Sequence, residues 1–245
     1  MKIKLALKKF KKYIREHLFN VKWRCNWCGE EIFSERWFCP ECESKLPIID
    51  KAYCNHCGRE LKVSDEYCST CKGKMISIDK GRSVFSYQEP IDKHIKDLKY
   101  FGKRYLVEMF GEYLSNVYFK NYFNADLIVF IPMTKKGKKE RGFNQAELLA
   151  RELSKRVGVP VGDVLEKTKQ TTRQAKLGRE ERLKNLQGTI KVKDKKAVKD
   201  KVLLIVDDVT TTGATGEVVA ERLKKSGAKE VYLLTVASVP PKEKY

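Results

Sequence analysis

Eight cysteines fall into four Cys-x2-Cys pairs, and the second half of this array repeats the first 29 residues later. Cys25, Cys28, Cys39 and Cys42 recur as Cys54, Cys57, Cys68 and Cys71, and both sets read Cys-x2-Cys-x10-Cys-x2-Cys. The surroundings repeat too: Cys25-Asn26-Trp27-Cys28-Gly29-Glu30 stands against Cys54-Asn55-His56-Cys57-Gly58-Arg59. Two residues between cysteines let a tight turn aim both sulfurs at one ion, and the following glycine can take the positive φ such a turn requires. Two pairs complete a closed site of four thiolates with no open position, which is structural and not catalytic. A disulfide framework is disfavoured, because no secretory h-region precedes the array and Cys-x2-Cys is a poor structural disulfide spacing. The regular repeat suits zinc better than an iron–sulfur cluster. Two structural Zn2+ ions are expected, with the cysteines paired either sequentially or in an interleaved way.

The same features place the chain in the cytoplasm, where thiolates stay reduced. The longest apolar runs, Leu127 to Ile131 and Val202 to Val206, are five residues each, far short of a membrane span. The formal net charge is +19, unevenly spread. Residues 1–24 carry nine Lys/Arg against one acid and residues 25–80 carry eight against ten, which leaves +13 on residues 81–245. A polyanion would therefore be held by the N-terminal segment or the large domain, not by the cysteine module.

Three segments follow from the patterning: a basic N-terminal helix (1–24), the cysteine module (25–75) and a larger domain (76–245). Ile3, Leu7, Phe10, Ile14 and Leu18 recur at helical steps with lysines between them. Such a basic amphipathic helix can make peripheral contact with a membrane, meet nucleic acid or pack on its own chain. From Ser83 the pattern alternates: strand 83–87, helix 90–100, helix 105–119, strand 127–131, helix 145–157, strand 202–206, helix 216–226 and strand 231–236. Asn144 caps the helix from Gln145, and Glu147 completes a capping-box pattern. Residues 168–187, polar with few apolar anchors, read as a mobile loop. Strands spaced by helices make an α/β domain with a parallel sheet flanked by helices.

The chemistry concentrates in Val202-Leu203-Leu204-Ile205-Val206-Asp207-Asp208-Val209-Thr210-Thr211-Thr212-Gly213-Ala214-Thr215. A buried strand gives way to two carboxylates, then a hydroxyl-rich turn opens a helix. Ligands of open α/β sheets bind at the carboxyl ends of strands. A helix N-terminus offers free N–H groups and a positive dipole end to a phosphate. Gly213 lets the backbone approach closely. Two carboxylates beside such a turn suit vicinal hydroxyls, or a magnesium ion that holds them.

This string resembles the signature of the type I phosphoribosyltransferases, which bind phosphoribosyl pyrophosphate with Mg2+. The resemblance implies that Asp207 and Asp208 take the ribose hydroxyls, and that Thr210, Thr211, Thr212, Gly213, Ala214 and Thr215 surround the 5-phosphate. Together with the cysteine module, the segment Arg141-Gly142-Phe143-Asn144-Gln145-Ala146 and the later Arg179-x2-Arg182-Leu183-Lys184-Asn185 resemble the ComF family. Members of that family serve natural competence and handle incoming single-stranded DNA. By that resemblance Arg141 and Asn144 lie on the pyrophosphate side, with Arg173 and Arg179 on a flap. Expected partners are phosphoribosyl pyrophosphate, single-stranded DNA and a competence helicase or other DNA-processing protein. Lys135, Lys136, Lys138 and Lys139 are placed to guide a phosphate backbone, and Trp23, Trp27 and Trp37 either stack bases or pack the zinc module. Two other readings remain open: a phosphoribosyltransferase acting on a nucleobase or small acceptor, and a non-catalytic sensor of phosphoribosyl pyrophosphate.

Overall fold

The computed structural model describes residues 23–33, 36–61, 65–73, 76–168, 186 and 188–240. The helix expected over residues 2–19 lies outside them, as does nearly all of the flap at 168–187 with Arg173 and Arg179. The chain divides into two compact units, Met1–Leu46 and Pro47–Tyr245. Among the described residues no helix is long and apolar enough to cross a membrane.

The first unit pairs β1 (Trp23–Arg24) with β2 (Glu31–Ile32), antiparallel, and continues into a short helix α1 (Pro40–Ser44). Its second cysteine pair is set by that helix: Cys39 is the N-cap and its Sγ accepts from Cys42 N at 3.4 Å. The second cysteine array, in the larger unit, folds the same way. Cys25 N donates to Glu30 O and Cys54 N to Arg59 O, each at 2.8 Å. Gly29 N donates to Cys25 O and Gly58 N to Cys54 O, while Asn26 N reaches Trp37 O and Asn55 N reaches Glu66 O. These three bonds of one array are the other's, shifted by 29 residues. Gly29 and Gly58 sit at φ +80° and +70°, the left-handed conformation the turn demands.

In the larger unit the strands are β3 (Lys80–Ser86), β4 (Leu127–Phe130), β5 (Val161–Gly162), β6 (Leu165–Lys167), β7 (Ile190–Val192), β8 (Val202–Thr210) and β9 (Glu230–Ser238). The helices are α2 (Ile91–Phe101), α3 (Tyr105–Lys120), α4 (Lys135–Arg141), α5 (Gln145–Val157) and α6 (Ala214–Lys225). Five strands form one parallel sheet in the order β3-β9-β8-β4-β5, and β6 pairs antiparallel with β7 beside it. β8 is central, so both its faces must be covered. Leu203 and Ile205 pack with Val218, Val219 and Leu223 of α6. Strand alternation turns Leu204 and Val206 to the other face, where α3 and α5 lie against the sheet.

Three details differ from the sequence expectation. β8 continues to Thr210, because β9 is equally long and keeps pairing through Asp207 with Thr235, Val209 with Ala237 and Thr210 with Ser238. The acid pair is therefore inside the strand, not beyond it. Second, Lys135–Arg141 is a helix, capped by Thr134, whose Oγ1 accepts from Gly137 N at 3.1 Å. Third, Asn144 caps α5 as expected, but Glu147 pairs with Lys138 at 2.8 Å and Arg151 at 3.0 Å instead of closing a capping box.

The second cysteine array is stitched to the sheet. Gly81 N donates to Asn55 O at 2.7 Å and Gly58 forms a bridge with Arg82. A Cβ on Gly81 would run into the His56 carbonyl, whereas one on Gly102 (φ +63°) would meet open space. Gly102→Ala is expected to cost about 1–2 kcal/mol of left-handed strain. Gly81→Ala collides with backbone and costs more, which urea unfolding of the two variants side by side will measure.

Candidate functional site

Each four-cysteine array gathers its own sulfurs. Cys25, Cys28, Cys39 and Cys42 form one group and Cys54, Cys57, Cys68 and Cys71 the other, with ligand atoms within 4.8 Å of one another. The pairing is sequential, not interleaved. Four thiolates about 2.3 Å from one zinc stand roughly 3.8 Å apart. Cys28 and Cys39 Sγ are 3.8 Å apart, as are Cys57 and Cys68 Sγ. Hydrogen bonds from neighbouring sulfurs, that of Cys54 first, hold Cys57 above and Cys68 below the ordinary thiol range. The four sulfurs share protons that a dication would displace. Residues and spacing fit two structural zinc ions.

The acid pair forms the floor of a cleft of about 980 Å³. Asp207 and Asp208 are consecutive in β8, and both line this cleft. Asp208, 9% exposed, takes the Lys99 ammonium of α2 at 2.8 Å. Burial alone would lower Lys99, but the charge and hydrogen bond of Asp208 outweigh it and hold the lysine above its usual value. Asp207 accepts from Asp208 N at 2.8 Å. Burial, then repulsion from Asp208, pushes the Asp207 carboxyl up to about 8. Lys167, at the end of β6, lines the same cleft and feels the Asp207 charge, although burial leaves its ammonium below the usual lysine value.

The far wall comes from the segment after β4. Arg141 and Asn144 line it with Thr134 and Phe143. Arg141 Nη1 donates to Gln145 Oε1 at 3.0 Å, and its guanidinium lies 5.6 Å from the Tyr100 ring centre. Asn144 is buried and both ends of its amide are engaged: Nδ2 donates to Ile131 O at 3.0 Å and Oδ1 accepts from Ala146 N at 3.1 Å. It organises the wall by tying α5 to the end of β4.

The turn lies just past the acid pair. Gly213, at φ +76°, is the N-cap of α6, which has no side-chain cap; Thr212 Oγ1 accepts from Ala214 N at 3.4 Å. Thr211 is exposed and Thr212 and Thr215 partly so, while Thr210 is buried in β8. The cleft thus gathers Asp207, Asp208, Arg141 and Asn144, whereas Thr210 to Thr215 are not part of its walls. Sequence reasoning missed Lys99, Lys167 and the aromatics Tyr100 and Phe143. Nothing local marks Lys99, which comes more than a hundred residues before the carboxylate it meets.

Comparison with known proteins agrees with this layout. The Double zinc ribbon domain family matches residues 18–72 and the Phosphoribosyl transferase domain family matches residues 140–244. The chain is 33% identical over 150 residues to Competence protein ComFC of Streptococcus pneumoniae, covering 61% of this chain and 64% of that protein. It is 29% identical over 147 residues to Competence protein ComFC of Bacillus subtilis, covering 60% and 58%. It is 33% identical over 107 residues to DNA utilization protein YhgH of Escherichia coli K12, covering 43% and 46%. The matched stretch spans less than two thirds of each of these relatives. Among solved structures, a purine phosphoribosyltransferase from Pyrococcus horikoshii matches 58% of this chain and 91% of its own at 24% identity and a TM-score of 0.33, too slight a likeness to add to the domain match. The chain thus pairs a match to a double zinc ribbon with a later match to a phosphoribosyl transferase domain, and it is similar to ComFC competence proteins at 29–33% identity.

Proposed function

We propose that the protein binds phosphoribosyl pyrophosphate with magnesium at the end of β8 and handles incoming single-stranded DNA in natural transformation. The observation that carries this reading is the acid pair on the cleft floor, followed within five residues by the Gly213-opened start of α6. Asp207 and Asp208 accept hydrogen bonds from the two ribose hydroxyls, and Lys99 fixes the carboxylate of Asp208. The hydroxyls of Thr211, Thr212 and Thr215 and the N–H groups of the first turn of α6 take the 5-phosphate. Arg141 faces the pyrophosphate from the opposite wall. Magnesium carried with the ligand would supply charge neutralisation to the pyrophosphate, which Arg141 faces and beside which Asp207 and Asp208 stand.

The nucleic-acid half of the proposal draws on the similarity to competence and DNA utilization proteins and on the rim of the cleft. Lys135, Lys136, Lys138 and Lys139 are exposed on α4. Tyr100, Phe101 and Tyr105 are 60%, 74% and 49% exposed. Arg104 lies 5.1 Å from the Phe143 ring centre. Cations that follow a phosphate backbone beside rings that stack bases are what a single strand requires. This rim serves better than the tryptophans: Trp27 and Trp37 are partly buried in the first zinc module. A phosphoribosyltransferase acting on a small acceptor would use the same floor, and pyrophosphate release on adding an acceptor distinguishes it from a pure sensor.

Calorimetry with magnesium and phosphoribosyl pyrophosphate is expected to show one site per chain, lost in Asp207→Asn/Asp208→Asn; heat from that double variant equal to wild type defeats the proposal. The carboxyl of Asp207 must shed its proton to accept both hydroxyl hydrogen bonds, so affinity climbs as pH rises through about 8, with proton uptake by the buffer visible in the binding enthalpy. The same group is a stability liability. A carboxyl near 8 folded and about 4 unfolded costs stability that sets in above the lower value and is complete at the upper. Asp207→Asn therefore gains thermal stability over wild type, and the gain grows between pH 5 and pH 8, as scanning calorimetry across about that range would read.

For single-stranded DNA, reversing Lys135, Lys136, Lys138 and Lys139 to Glu flattens the salt dependence by about 0.7 per lost phosphate contact. Replacing Tyr100 and Phe101 by Ala weakens binding by about 1–3 kcal/mol per stacked base and leaves the salt slope alone. Fluorescence anisotropy with a labelled oligonucleotide at several salt concentrations separates the two effects. Equal affinity for duplex and single strand contradicts the reading.

A further inference from the structure

Taking the Thr211–Thr215 turn as the phosphate site just proposed, we infer that Arg59 of the second zinc ribbon is a positioning residue that holds this turn in its binding shape. By this inference the metal at Cys54, Cys57, Cys68 and Cys71 governs affinity for the sugar phosphate.

Arg59 follows Cys57 by two residues, and its backbone carbonyl closes the metal-binding turn by accepting from Cys54 N at 2.8 Å. Only 5% of it is exposed. Its Nη2 donates to the carbonyl oxygen of Thr211, across 152 residues of sequence. A long cationic side chain is not buried without a specific partner, and here the partner is main chain of the turn itself. The ribbon also touches the turn directly: a Cβ on Gly213 would stand 3.6 Å from the Cβ of the zinc ligand Cys57. Further ties fix the ribbon to the elements on either side. His56 Nδ1 lies 3.0 Å from Ile78 O, Gly81 N donates to Asn55 O at 2.7 Å, and Ser77 N donates to Glu217 Oε1 in the first turn of α6 at 2.8 Å.

The turn needs this support. α6 begins at a glycine with no side-chain cap, so no residue of its own N-cap fixes the orientation of the preceding carbonyls. A phosphate cradle works only if its N–H groups already converge, and a turn free to rotate spends binding energy on ordering itself. Zinc fixes Cys54 and Cys57, these fix the backbone of Arg59, and Arg59 fixes Thr211. The 29-residue repeat isolates the device. The residue equivalent to Arg59 in the first ribbon is Glu30, which is exposed. Both ribbons hold metal with the same spacing, but only the second carries the arginine.

The test uses full-length, zinc-loaded protein and the variants Arg59→Met, which keeps an apolar side chain of similar reach, and Arg59→Lys. Hydrogen exchange of the amides of residues 211–216 is measured without ligand, affinity for magnesium–phosphoribosyl pyrophosphate by calorimetry, and zinc content by mass spectrometry. Arg59→Met is expected to retain two zinc ions per chain, to exchange those amides about tenfold or more faster, and to bind the ligand about tenfold more weakly, the equivalent of roughly 1.4 kcal/mol; Arg59→Lys falls between. Cys57→Ser, which strips the second site, reproduces the same exchange pattern, while Cys28→Ser does not. If Arg59→Met leaves exchange at 211–216 at the wild-type rate, the inference is overturned, whatever happens to affinity, because Arg59 then acts elsewhere. If exchange accelerates but wild-type protein takes up no phosphoribosyl pyrophosphate, the coupling stands and the proposed ligand falls.

Discussion

Two carboxylates side by side in the central strand of a buried sheet are the most expensive feature of this fold, and much of its site geometry follows from how they are tolerated. The two carboxyls repel each other across one cleft and need positive charge close by. Lys99 comes from α2 to meet Asp208, and Lys167 comes from the end of β6 on the side of Asp207. The compensation is unequal. Lys99 ends above its ordinary value while Asp207 is pushed up to about 8, which leaves Asp207 poised to ionise. A hydrophobic pair in their place would cost far less, and β8 ahead of them, from Val202 to Val206, is uniformly apolar. On the function proposed above, the pair is an acceptor set completed by the ligand bound in the cleft.

Around that floor the sheet supplies rigidity and the loops supply the contacts. β8 is covered by α6 on one face and by α5 on the other, so the acids sit in a strand packed on both sides. Asn144 spends its amide on backbone, pinning the start of α5 to Ile131 O and thereby setting where Arg141 stands. An asparagine in that role is structural and functional at once: it never needs to touch a ligand for its loss to displace the residues that do.

Most of the frame was legible from residue pattern, for physical reasons that also explain the failures. The 29-residue cysteine repeat announced itself because thiolate geometry leaves little freedom in spacing, and the structure repeats the backbone bonds of the first Cys-x2-Cys turn in both arrays. The sheet strands β4, β8 and β9 read correctly as apolar runs. The end of β8 did not, because what carries it past Val206 is pairing with β9, a tertiary fact that overrides the polarity of Asp207 and Asp208. α4 was invisible because its seven residues are almost all charged, with no apolar period to detect; its one local signal was Thr134 ahead of it. The short strands β5, β6 and β7 are too brief to show a period. Lys99 was illegible in principle: on α2 it looks like any surface lysine until the sheet brings Asp208 to it.

The same contrast applies within the repeat. Spacing fixed the metal chemistry of both ribbons equally, yet the chain has used them differently, and the difference lies in residues that the metal does not need. Trp27 in the first copy is His56 in the second, where the ring stacks on Tyr67 at 4.6 Å and meets Ile78 O. Glu30 becomes Arg59, and an exposed acid becomes a buried cation bonded to the turn after β8. A duplicated module that keeps its ligands and changes its outward-facing residues has been recruited by its surroundings. The second ribbon lies in the compact unit that holds the sheet, and the ties through His56, Asn55 and Arg59 are why it belongs there. A closed four-thiolate site cannot do chemistry, but it is an inexpensive way to make a short, coreless segment rigid enough to brace another.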